Sequence, residues 1–129
     1  AERGAVTPEG FGRWEAAVRA LLSVPPADAA QIYVDTKHLF DEVYRELGFP
    51  DGDFDQAIIK AIRMLAATPD APAGMILLRR DGYFEHEDST LQSLAPVQKQ
   101  WLLLGPDHRA QVMAWLRQLA ARLELRITD

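Results

Sequence analysis

The chain has no cysteine in its 129 residues. That absence removes disulfide frameworks, thiolate zinc sites, cysteine nucleophiles and redox motifs together. It leaves the compartment open, because a cysteine-free chain suits a reducing cytosol and equally a periplasm in which a stray thiol risks wrong pairing. No run approaches the roughly 18 to 20 apolar residues that a membrane span needs, and no segment resembles a signal peptide. Positive charge is scarce: 14 Lys and Arg stand against 19 Asp and Glu, a formal net charge of -5. Neutralising a phosphate backbone requires a positive footprint, so nucleic acid is excluded as the partner. Arginine does gather at Arg109, Arg117, Arg122 and Arg126, which reads as a solvated helix face with cations near the negative end of the helix dipole. Signatures of chemistry are missing as well. There is no phosphate-binding glycine loop, nucleophile elbow, paired-histidine zinc helix or dinucleotide fingerprint, so no cofactor, metal site or catalytic residue is assigned.

What is present is an ordinary globular balance, 48% apolar and 26% charged residues, at a length suited to one domain. Apolar periodicity predicts a mainly α fold, with about five helices packed around one core and a small β-hairpin at about residues 75–86. Thr7 and Pro8 announce the first helix, with Phe11, Trp14, Val18, Leu21 and Leu22 on one face until Pro25. Pro26 opens the second, whose stripe is Ile32, Thr36, Leu39, Phe40, Val43 and Leu47, and Gly48 supplies its C-terminal cap. Asp53 and Gln56 have capping-box spacing for the third helix, which turns Phe54, Ile58, Ile62 and Leu65 inward and stops at Thr68 and Pro69. Met75 to Arg79 and Tyr83 to His86, joined through Asp81 and Gly82, carry the hairpin signal. Asp88 or Ser89 caps a single turn containing Leu91 and Leu94. Pro96 opens a short helix with Val97, Trp101 and Leu104 inward, and Gly105 and Pro106 precede a final helix built on Val112, Trp115, Leu116, Leu119 and Leu123.

Four groupings invite a functional reading. Asp51, Asp53 and Asp55 begin like a calcium loop, but the sixth position is Gln56 rather than glycine and the twelfth is Ile62 rather than glutamate. A turn and a helix cap explain them instead. Glu85, His86, Glu87 and Asp88 could offer metal ligands, yet a strand sends alternate residues to opposite faces and no second histidine stands at ligand spacing. Asp35, His38 and Glu42 share a helix face, as a tuned general base would require and as any solvated charged face also provides. His108 lies where helix-start amides could receive an anion, although Asp107 can satisfy them already. The three tryptophans, Trp14, Trp101 and Trp115, fit the apolar stripes of their helices, and the three tyrosines, Tyr33, Tyr44 and Tyr83, suit a rim with wet hydroxyls.

Four blocks carry a family resemblance: Leu39, Phe40, Tyr44, Glu46, Leu47 and Gly48; Phe54, Leu65, Ala66, Thr68 and Pro69; Leu91, Leu94, Pro96, Gln98 and Lys99; and Leu104, Gly105 and Pro106. In these the chain resembles the bacterial domain of unknown function family numbered 3014, differing from it at Lys37 and His38 and at Asp107 and His108. The resemblance implies a domain held at the periplasmic face of the inner membrane by an N-terminal anchor and linker, with the cytoplasm as the alternative compartment. Since the chain begins with Ala1 rather than methionine, residues 1–129 are expected to be the soluble C-terminal part of a longer protein. The resulting expectation is a non-enzymatic envelope module that binds another envelope protein or a cell-wall component through a groove between helices and hairpin. Tyr83, Phe84, His86 and His108 are its expected binding residues. The alternatives are a small enzyme or ligand-binding domain using His38 or His86 with a carboxylate, and a self-associating spacer. The oligomeric state stays open.

Overall fold

The computed structural model of the protein describes residues 2–5, 14–69, 76–80, 83–86 and 88–127. Within them the chain is mainly helical. The order is β1 (Glu2–Ala5), α1 (Glu15–Leu22), α2 (Pro26–Glu46), α3 (Phe54–Ala66), β2 (Ile76–Arg80), β3 (Tyr83–His86), α4 (Ser89–Gln92), α5 (Pro96–Leu102) and α6 (Pro106–Arg122). β2 pairs antiparallel with β1, Gly4 opposite Leu77, and with β3, Leu78 opposite Glu85. The sequence reading places no strand at Glu2–Ala5, a segment without the alternating apolar residues that signal one. The helix start read at Thr7 and Pro8 and the turn read at Asp81 and Gly82 lie outside the described residues.

Helix boundaries follow local chemistry. Proline stands at the first position of α2, α5 and α6, where its missing N–H costs nothing. Asp88 accepts the Thr90 and Leu91 amides to start α4. α2 ends in a Schellman motif: Gly48 takes φ +103°, its N–H donates to the Arg45 carbonyl at 3.1 Å, and the Phe49 N–H donates to the Tyr44 carbonyl at 3.3 Å. The apolar contact that accompanies this motif is a ring stack, with Tyr44 and Phe49 centroids 4.3 Å apart and 3° from parallel. α6 ends the same way, with the Leu125 N–H on the Ala120 carbonyl and the Glu124 N–H on the Ala121 carbonyl, but here the left-handed position belongs to Glu124 at φ +57°.

Among the described residues, buried apolar side chains form two clusters that meet at α5. Leu102, fully buried, gathers Leu91, Leu94 and Leu103, whereas its neighbour Trp101 joins Val18 and Val112 with Leu21, Leu65, Leu104 and Leu116 around them. Adjacent helical residues point about 100° apart, so one short helix can serve both clusters. Gln98 ties α5 to the end of α3: its Oε1 accepts the Ala95 N–H and its Nε2 donates to the Met64 carbonyl. Val97, expected inward, is about half exposed. α6 is the helix on which α1, α2, α3 and α5 all rest. Its Arg109 is buried and donates to the Leu102 carbonyl, which corrects its place on a solvated face, while Arg117, Arg122 and Arg126 are exposed.

Candidate functional site

The main departure from the sequence reading is the orientation of α2. Its apolar stripe was expected to enter the core, yet Ile32 is 62% exposed, Leu39 51% and Val43 54%, and Phe40, Leu47 and Phe49 are exposed too. The side of α2 that meets the neighbouring helices instead carries buried Ala30 with partly buried Tyr33, Lys37, Asp41 and Tyr44. At 100° per residue these fall on the face opposite Leu39. α2 and α6 are in contact and each buries a small residue, Ala30 and Ala120, while Ile32, Leu39 and Val43 of α2 stay exposed.

On one border of the exposed strip stand Asp28, Asp35 and Glu42, all exposed and seven residues apart. An ideal helix drifts about 20° per heptad, so the three stay within about 40° of one line. Asp35 accepts from the neutral Gln31 amide at 2.9 Å. Among the described residues no lysine or arginine pairs with any of the three.

On the other border the strip runs into an aromatic and ionic corner between α2 and α3. Phe54 lies at its centre, stacked on Phe40 at 5.1 Å and met edge-on by Tyr44 at 5.6 Å. Lys37 Nζ lies 2.8 Å from Asp41 Oδ2 and 3.1 Å from Asp53 Oδ1. Asp53 caps α3 by accepting the Asp55 N–H, as read from the sequence, while Asp41 adds a cap from another helix by accepting the Phe54 N–H at 2.8 Å. Lys37 holds the Asp41 carboxyl below its usual range, with the Phe54 amide next in weight. Asp41 in turn raises the Lys37 ammonium against the opposing effect of burial. Tyr33 donates to Asp55 at 2.7 Å, so its hydroxyl is not the wet rim group expected, and burial followed by this bond pushes its pKa well up. The corner is therefore an internally satisfied latch. Among the described residues no group of three His, Asp or Glu side chains is arranged to hold a metal ion.

The other sequence-predicted positions stand on different elements. Tyr83, Phe84 and His86 lie on β3, where the backbone of Phe84 pairs opposite Arg79. His108 lies in the first turn of α6, and its Nδ1–H donates to the Leu104 carbonyl at 3.0 Å. His38 is exposed on α2 with Asp35 and Glu42, and Asp35 takes its hydrogen bond from Gln31. Trp115 donates its Nε1–H to the Val24 carbonyl, joining α6 to the turn before α2. Among the described residues no helix is long and apolar enough to cross a membrane.

A family model described as protein of unknown function (DUF3014) matches residues 1–120, and the chain belongs to that family. No curated protein and no solved structure matches it. Several residues that carry the resemblance have structural work in this fold: Tyr44 and Gly48 terminate α2, Gln98 satisfies two backbone groups, and Gly105 turns the chain at φ +85°.

Proposed function

We propose that this member of the DUF3014 family is a non-enzymatic protein-interaction module whose outward α2 face receives a helical segment of another protein. The supporting observation is the exposure of Ile32, Leu39 and Val43 along one line of a helix that starts at Pro26 and is closed by a Schellman motif. Their spacings of seven and four residues are those by which a helix offers anchors to a second helix. Removing such side chains from water is worth roughly 25 cal/mol per Å² of apolar surface, a gain the isolated fold forgoes. The surroundings assist, because the Schellman cap and the Lys37 latch hold the helix end that carries Val43 and Leu47.

The setting belongs to the same proposal. The partner is an envelope protein, met at the periplasmic face of the inner membrane, as the family resemblance implies. Among the described side chains no observation favours a histidine–carboxylate enzyme: His38 faces outward, and His108 binds a backbone carbonyl.

The test compares the folded wild type with a Leu39→Asp/Val43→Asp variant as bait for solubilised envelope proteins. A protein retained saturably by the wild type and released by the variant supports the reading. Equal retention by both, or by neither, contradicts it. Circular dichroism checks that the variant keeps its helices, as exposed substitutions should.

A further inference from the structure

We infer that the occupant of the α2 face is an amphipathic helix whose apolar seam is bordered by lysine and arginine. This rests on the docking reading above and adds the charge class of the partner. The observation is the row Asp28, Asp35 and Glu42, which borders the exposed line of Ile32, Leu39 and Val43 over about two heptads and is matched by no lysine or arginine among the described residues. In a two-helix seam the residues flanking the apolar positions meet the flanks of the partner, and their charges decide which partner and which orientation are accepted.

A second copy of this chain fits poorly in either orientation. Packed antiparallel, the acidic row would face its own copy, like charge against like. Packed parallel, it would face the opposite border of the strip, where Phe40 and Leu47 stand, and the carboxylates would lose water without gaining a partner. An anionic membrane surface is disfavoured by the same row and by the chain's net charge of -5. A basic flank satisfies all three carboxylates at the rim of the contact, where the pairs stay partly hydrated, so they supply selectivity more than affinity.

Two synthetic helical peptides of about three heptads, leucine at the seam positions, serve as probes. One is bordered by lysine and the other by glutamate, and a scrambled lysine peptide controls for attraction to net charge alone. Binding is followed by fluorescence anisotropy. The lysine peptide is expected to bind at least about tenfold more tightly than the glutamate peptide, from three rim pairs of modest strength, with the gap narrowing as salt is raised. In an Asp28→Lys/Asp35→Lys/Glu42→Lys variant the preference should reverse, and in Leu39→Asp both peptides should be lost. Should Leu39→Asp lose its helical signal, Leu39→Ala, which favours helix, replaces it.

Equal binding of the two seam peptides, with both lost on changing Leu39, overturns the charge inference and leaves the docking reading standing. Lysine-peptide binding that survives the Leu39 change, or is matched by the scrambled peptide, overturns the docking reading. Failure of every peptide to bind overturns both. Concentration-dependent dimerisation in sedimentation, abolished by Leu39→Asp, overturns the inference in favour of a second copy.

Discussion

The backbone N–H of Phe54 donates to Asp41 Oδ1 at 2.8 Å, so a carboxylate late in α2 caps the first turn of α3. Lys37 holds that carboxylate in place and reaches Asp53, the local cap of the same helix. The corner that supports the exposed strip is thus closed by charge as well as by the Phe54 aromatic cluster.

This arrangement predicts a pH dependence with a definite sign. The folded Asp41 carboxyl titrates below its ordinary value, chiefly because of Lys37. Between the two values the unfolded chain binds more protons, so stability rises with pH there. The contribution is fully present above an unfolded aspartate value of about 4 and is lost as pH falls through the lower folded value. Lys37 is shifted up, so its contribution is present below 10.5 and is lost as pH rises through its folded value. Lys37→Met should lower the urea midpoint at neutral pH and flatten the acid limb of stability. Parallel acid limbs for wild type and variant would remove Lys37 as the cause.

The two apolar populations should respond differently to truncation. Leu102 is fully buried, and Leu102→Ala should cost about 2–5 kcal/mol by lost burial and a residual cavity. Leu39→Ala should stay within about 0.5 kcal/mol of wild type, since its side chain is half exposed. Denaturant titration measures both, and a cost for Leu39→Ala comparable with that of Leu102→Ala would place the strip in the core.

That contrast also marks what the sequence discloses. Caps and breakers act within a few residues, so Pro26, Gly48, Asp53, Pro96 and Gly105 are legible, and so are the inward faces holding Ile62, Trp101 and Val112. The direction of α2 is not. An apolar line at helical spacing looks the same whether it meets a core or a partner, and the inner face uses Ala30, Lys37 and Asp41, residue types ordinarily read as indifferent or solvent-facing. Nor does local spacing disclose that Asp41 caps a helix beginning thirteen residues later. What could have signalled it is the pairing of an acid with Lys37 on a face otherwise small and aromatic.

Glu124 occupies a left-handed position that glycine takes at the end of α2. Glu124→Gly should stabilise the fold by roughly 0.5–1 kcal/mol, the relief of backbone crowding less the entropy of glycine in the unfolded chain. Thermal melting reads the change, and a lowered melting temperature would show that the Glu124 side chain contributes more than its backbone costs.

Gln98 serves the Ala95 N–H and the Met64 carbonyl at once. Gln98→Leu keeps the bulk and removes both bonds, and should cost about 1–2 kcal/mol because partly buried backbone groups lose partners. Gln98→Glu, which retains the acceptor but not the donor, should fall between. Denaturant midpoints that leave all three proteins equal would show that water replaces the side chain without loss.

The docking role of α2 is tested most directly by a photo-crosslinking side chain placed at position 39 in the native host, with the same group at exposed position 118 on α6 as the control. A single discrete adduct formed from position 39 and not from 118, and lost when Val43→Asp is added, is the predicted result. Adducts that form equally from both positions, or from neither, would contradict it.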